Sequence, residues 1–307
     1  MNNHLEAGIV ELVEEFISLG KPCSSYLSIA ERRASYIAGN ALAGESPLGI
    51  TEFIDMVDGI PVKVYRPELG ERLPVVLYFH GGCFISGGFA THDIQLRQIA
   101  KAADAIVICI QYRLAPEYIY PAAHDDVYTV ASGLNSRIST LGGDPNRVIF
   151  MGDSAGAQLA LATSLRLVKN GLPIPAKQIL LYPMLDPLGQ SASYQQNGTD
   201  YIITAKMLLS GFSLYAGEGK CADNIDELNL LKNHDYKGLP ATVIVTAECD
   251  PLRDEGETLY RQMLSSGVEV HCERYLGVIH GFFQLGGVSS SARRCMQMVV
   301  NEIVASH

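Results

Sequence analysis

From Leu73 onward the chain alternates short apolar runs with helical stretches, a pattern that few folds accommodate. The runs are PVVLYFH, AIVICIQY, RVIFMG, QILLYP, ATVIVTAE and VEVHCERY. Several are apolar on both faces, as strands of a parallel sheet are when helices cover them from either side. Helical candidates lie at His92–Ala103, Asp125–Arg137, Ala155–Lys169, Glu255–Ser265 and Ser291–Ala305. Such alternation predicts an α/β fold: a mostly parallel sheet, helices on both sides, right-handed crossovers. Before it, ITEFIDMV and IPVKVYRP predict two neighbouring strands joined by a hairpin turn at Asp58-Gly59.

Two regions depart from the alternation. The segment 1–49 carries helical signals, IVELVEEFISLG and SIAERRASYIAG, separated by the break Gly20-Lys21-Pro22. The segment 185–237, inside the α/β portion 50–307, is polar and turn-rich with two weak helical pieces, TAKMLLSGFSLYA and DNIDELNLL. Both are expected to form a cap over the C-terminal edge of the sheet.

Composition narrows the function classes. With 48% hydrophobic and 18% charged residues, the chain reads as a packed globular protein rather than a disordered one. A formal charge of -10 excludes a nucleic-acid surface and mildly favours neutral substrates. Seven scattered cysteines, with no CxxC pair, predict neither disulfides nor a zinc site, and a reducing compartment. The acidic start, MNNHLEAGIVELVEEF, does not resemble a secretory leader, and no apolar run is long enough for a membrane span. A cytoplasmic location is expected, and Asn197-Gly198-Thr199 then reads as a turn rather than a glycosylation acceptor.

The sharpest motif is RVIFMGDSAGAQLALATSLRL, in which a buried strand enters Gly152-Asp153-Ser154-Ala155-Gly156 and a helix follows at once. A G-x-S-x-G on a strand–turn–helix elbow presents its serine Oγ above the sheet, where the helix N-terminus favours developing negative charge. Ser154 is therefore the expected nucleophile, and the residues two positions either side of it must be small. A second strand ends in His80-Gly81-Gly82-Cys83-Phe84. Glycines there let backbone N–H groups approach an oxyanion closely, so Gly81, Gly82 and Cys83, with Ala155, are expected to form an oxyanion hole, its donors the N–H groups of Gly82, Cys83 and Ala155. Cys83 stands where a third glycine is usual, and a positive φ there would be strained. His80 reads as a group that orders this loop, and a metal site among His80, His92, His124 and Asp125–Asp126 lacks ligand spacing.

On such an elbow an acid and then a base follow the nucleophile along the chain. Of His234, His271, His280 and His307, only His280 lies in a glycine-flanked loop, Gly277–Phe282, after the last strand. His271 sits mid-strand on a solvated face with Glu269 and Glu273. For the acid, ATVIVTAE ends at Cys249-Asp250, a position from which a carboxylate can hold an imidazole. Asp186 is its rival, and Asp254 is expected to order the Asp250 loop.

HGGCF, YRLAPE, GDSAG, DPLRDE and GVIHGFF occur in the order seen in the hormone-sensitive-lipase-like esterases, and the chain resembles their bacterial GDSAG branch, which includes acetyl esterases. The resemblance runs from about Val64 to near the end of the chain. It implies an α/β-hydrolase fold with an eight-stranded sheet and a cap, hydrolysis of short-chain acyl esters without any cofactor, and Ser154, Asp250 and His280 as the triad. Monomers and homodimers both occur among similar enzymes. Amidases and arylformamidases share the triad, and a non-catalytic ligand receptor is also known on this fold; the intact His280 loop speaks against the receptor. Departures are Cys83 for glycine and Ala157-Gln158 where Gly-Asn is usual.

Overall fold

The computed structural model describes residues 4–20, 24–68, 70–233 and 235–306, without the side chains of 135 and 136. Lys21, Pro22 and Cys23, with His234 and His307, lie outside the described residues.

Its elements, in chain order, are α1 (Ala7–Ser18), α2 (Ile29–Gly39), β1 (Ile50–Val57), β2 (Ile60–Pro67), β3 (Leu73–Phe79), α3 (Phe89–Ala102), β4 (Ile106–Ile110), α4 (Ala122–Gly133), α5 (Asn135–Ile138), β5 (Gly143–Asp153), α6 (Ala155–Lys169), β6 (Lys177–Leu181), α7 (Ala192–Asn197), α8 (Ala205–Ala216), β7 (Ala241–Cys249), α9 (Arg253–Ser265), β8 (Val270–Ile279) and α10 (Ser290–Val304).

Every residue of β3 and β4 is buried, and their side chains divide by the two-residue period of a strand. Val75, Leu77 and Phe79 join one core with Ile106, Ile108 and Ile110 of β4, under α4, α6 and α9. Val76 and Tyr78 join a second core with Val107 and Cys109, under α1, α3 and α10. A sheet apolar on both faces thus requires helices on both, as the continuous apolar runs imply. The eight strands are ordered β1-β2-β4-β3-β5-β6-β7-β8. The first two pairings, β1 with β2 and β2 with β4, are antiparallel, and the remaining five are parallel. At the hairpin, Val57 pairs with Ile60, and Asp58 and Gly59 both take positive φ, as a two-residue turn demands.

Strand order positions the chemistry. The C-terminal ends of β3, β5, β7 and β8 open on the same edge of the sheet, and only β6 stands between β5 and β7. The loops leaving them carry His80–Ser86, Ser154, Asp250 and His280.

One segment folds otherwise than expected. DNIDELNLL forms no α-helix but two short 3₁₀ turns, Ala222–Asn224 and Leu230–Lys232. Its polar side chains compete for the local backbone and side-chain partners: Asn229 Nδ2 donates to Asp223 Oδ1, and Lys232 Nζ to the Asp223 carbonyl. The Tyr236 hydroxyl meanwhile takes the Leu230 carbonyl, at 2.7 Å. TAKMLLSGFSLYA does form a helix, α8, capped by Thr204, whose Oγ1 accepts from Met207 N–H.

Candidate active site

Ser154 sits between the last residue of β5 and the first of α6, at φ 56° and ψ −120°. A side chain at that φ stores strain, and the surroundings must enforce it. They do so by close approach. A Cβ on Gly156 would overlap the Phe79 carbonyl, and one on Gly152 would stand 2.5 Å from the Gly156 carbonyl carbon. Gly152 therefore lets the turn fold back on itself and Gly156 lets it lie against the end of β3, while the Ser154 N–H is tied to the Leu181 carbonyl at 2.9 Å.

The Ser154 hydroxyl donates to His280 Nε2 at 3.0 Å, and His280 Nδ1–H donates to Asp250 Oδ2 at 2.8 Å. The other carboxylate oxygen, Asp250 Oδ1, accepts the Leu252 N–H at 2.8 Å, which fixes the acid in place. Glycines at positive φ flank the histidine loop, Gly277 at 71° and Gly281 at 79°. The Tyr182 ring meets the imidazole edge-on, with centroids 4.9 Å apart. All three side chains are nearly water-excluded, at 4% exposure for Ser154, 0% for Asp250 and 8% for His280. A hydroxyl, an imidazole and a carboxylate in this order can pass a proton from oxygen to nitrogen and hold the resulting imidazolium.

The rivals lie elsewhere. Asp186 accepts the backbone N–H of Leu188 through Oδ1, and His271 is exposed on β8. Asp254 does act on the neighbouring segment, its Oδ2 accepting the Ser193 N–H at 2.9 Å while Ser193 Oγ donates to the Pro251 carbonyl.

Beside Ser154 lies the glycine loop. The Gly81 N–H, grouped above with the oxyanion hole, donates to Asp153 Oδ1 at 2.9 Å and so is not free to point at a ligand. Among the described residues no acceptor takes the N–H of Gly82 or Cys83. Cys83 has φ 54° and Phe84 φ 63°, so two consecutive residues with side chains are held in the left-handed region at a cost of about 1–3 kcal/mol each. Burial pushes the Cys83 thiol up to about 11, which leaves it protonated and unreactive. His80 is neutral, pushed down to about 3 by burial and the adjacent His92, stacks on Tyr112 at 4.0 Å, and donates from Nδ1 to the Gly81 carbonyl.

Asp153 is a contributor that pattern reading passed over. Burial pulls its carboxyl upward, but His92, the Tyr78 hydroxyl and the Gly81 N–H outweigh that and hold it below its ordinary value. A charged residue directly after the apolar run Val148–Gly152 was the available signal. Among the described residues no cluster could hold a metal ion; His92 pairs with Asp153 and His124 with the Tyr215 hydroxyl.

Glu255, in the first turn of α9, fixes the chain after β6: its Oε2 accepts the N–H groups of Leu185 and Asp186 at 2.6 and 3.1 Å. Burial, with Asp186 nearby, raises its carboxyl well above the ordinary 4.5. The folded state thus prefers the neutral acid. Its stabilising contribution is complete below the unfolded value and is lost as pH rises towards the folded one. Glu255→Gln keeps the acceptor and removes the charge. Its urea midpoint should exceed that of the wild type by a margin that widens from about pH 5 to about pH 8; parallel midpoints would contradict this assignment.

Residues 76–284 match the alpha/beta hydrolase fold family, and the chain belongs to it. Among curated relatives, it is 34% identical to a carboxylesterase of Mycobacterium tuberculosis over 78% of this chain and 76% of the other. It is 32% identical to an ethyl acetate hydrolase of Pseudomonas putida over 97% and 96%. Among solved structures, a thermostable esterase from Pseudomonas putida superposes with a TM-score of 0.93 at 28% identity, covering 100% of this chain and 98% of that one.

Proposed function

We propose that this protein is a serine carboxylesterase that hydrolyses short-chain acyl esters through a covalent acyl-enzyme. The carrying observation is the unbroken hydrogen-bonded chain from Ser154 through His280 to Asp250. In the proposed cycle, His280 Nε2 takes the Ser154 proton as Oγ forms a bond to the ester carbonyl carbon. The oxyanion is received by the N–H groups of Gly82, Cys83 and Ala155, each such donor being worth about 10²–10³ in rate. The imidazolium, steadied by ionised Asp250, gives its proton to the departing alkoxide as the C–O bond breaks. Water then loses a proton to the same nitrogen, attacks the acyl-enzyme, and releases the carboxylic acid as Ser154 regains its proton. The cycle needs no cofactor.

Acetate-sized acyl groups are the proposed preference, supported by the resemblance to acetyl esterases and by the likeness to the ethyl acetate hydrolase of Pseudomonas putida. Residues 1–49 and 185–237 are proposed to cap the site, supported by the bond from Arg32 of α2 to Ser210 of α8 and by the contact of α8 with the glycine loop. Among the described residues no helix is long and apolar enough to cross a membrane. Six described cysteines are free thiols, which supports a proposed cytoplasmic location.

The test is a series of p-nitrophenyl esters from acetate to palmitate, with p-nitroacetanilide as the amide arm. Turnover should peak between acetate and butyrate and be far weaker on the anilide. A maximum at palmitate, or preference for the amide, would overturn the substrate reading.

A further inference from the structure

Gly82, Cys83 and Phe84 all have positive φ, at 124°, 54° and 63°, and the last two carry side chains that resist that conformation. Bonds within the loop hold part of it: the N–H groups of Ile85 and Ser86 both reach the Gly82 carbonyl. The remainder comes from outside. Phe84 stacks on Tyr215 of α8 with ring centroids 4.6 Å apart and meets Phe212 at 5.7 Å. Arg33 of α2 donates from Nε to the Ile85 carbonyl at 2.8 Å.

α8 also approaches the loop closely at Gly211, in the helix interior, where glycine is unfavourable on conformational grounds alone. A Cβ built there would stand 2.6 Å from Cys83 Cβ and 2.6 Å from the Cys83 carbonyl oxygen. The loop therefore carries a side chain where the esterases it resembles carry glycine, and the helix seated on it carries none.

We infer that Gly211 is a positioning residue, matched in size to Cys83, through which α8 presses the glycine loop into its left-handed conformation and so aims the Cys83 N–H at the reacting carbonyl. Gly211 touches no substrate atom in this role; it acts through the backbone of residue 83. The inference rests on the reading of the Gly82 and Cys83 amides as oxyanion donors.

The experiment is Gly211→Ala, assayed with p-nitrophenyl acetate per active site titrated with a fluorophosphonate. A displaced donor weakens transition-state binding only, so kcat and kcat/KM should fall together, by about 10–100-fold, with KM held within about twofold. Adding Cys83→Gly removes the overlap with Cβ and leaves a glycine backbone free to turn its carbonyl, the other close atom, away from the new methyl, so the double variant should recover at least about fivefold of the loss. Damage to α8 alone would lower the melting temperature and the titratable fraction, without lowering turnover per titrated site and without responding to residue 83. If Gly211→Ala does not fold, a soluble and active Cys83→Gly/Gly211→Ala protein still supports the size match, and an insoluble one counts against it. Turnover per site within about twofold of wild type, or a loss that Cys83→Gly leaves untouched, overturns the inference. The underlying site reading fails separately, if wild-type turnover survives Ser154→Ala.

Discussion

Ser154→Ala is expected to lower kcat on p-nitrophenyl acetate by about six orders of magnitude while leaving the fold intact. The loss is large because the substitution removes the atom that forms the covalent bond, and His280 Nε2, 3.0 Å away, is left with no proton to take. Alanine at φ 56° is no more strained than serine, and the side chain that disappears is bonded to His280 rather than to a structural element, so the melting transition should stay close to that of the wild type. The residual rate, about 10³–10⁴ over water, would come from the oxyanion donors and from binding alone. Because the nucleophile and base act as one unit, Ser154→Ala/His280→Ala should be scarcely slower than either single variant. Activity above about one per cent in Ser154→Ala would contradict the assignment.

Asp250→Asn should cost about 10⁴ in kcat, through the imidazole tautomer rather than through lost packing. Asp250 Oδ2 accepts from His280 Nδ1–H, and Oδ1 accepts from the Leu252 N–H. A carboxamide that keeps its oxygen on Leu252 must turn its NH₂ toward Nδ1, which then has to accept. The imidazole proton moves to Nε2, facing the Ser154 hydroxyl that it should deprotonate. Asp186→Asn makes the comparison, since Asp186 is bonded to its own turn through Leu188 N–H and lies outside the triad. It should stay within about tenfold of wild type; the reverse ranking of the two variants would make Asp186 the acid.

Periodicity and turn chemistry made most of this architecture legible. The strand after strand of buried β-branched residues, the Asp58-Gly59 turn and the bounds of α6 follow from local pattern, because each is set by neighbours in the chain. So does the placement of Ser154, Asp250 and His280 at strand ends, which chain order and glycine-flanked loops distinguish from Asp186 and His271. What was not legible depends on residues far apart. Asp153 joins Tyr78, Gly81 and His92 across sixty or more positions, and that contact is what occupies the Gly81 N–H. Gly211 reads in the sequence only as a weak point of a helix; its reason is Cys83, on a different element. DNIDELNLL misleads for the opposite cause, its helical spacing overridden by polar side chains and by a tyrosine hydroxyl that captures the Leu230 carbonyl.

Whether Ser154 is the nucleophile activated by His280 is read out by a fluorophosphonate probe followed by peptide mass spectrometry. One adduct per chain is expected, on the peptide bearing Ser154, with labelling abolished in Ser154→Ala and slowed by orders of magnitude in His280→Ala. An adduct on Cys83 or on any other residue, or ester turnover by a protein that the probe leaves unlabelled, would contradict it.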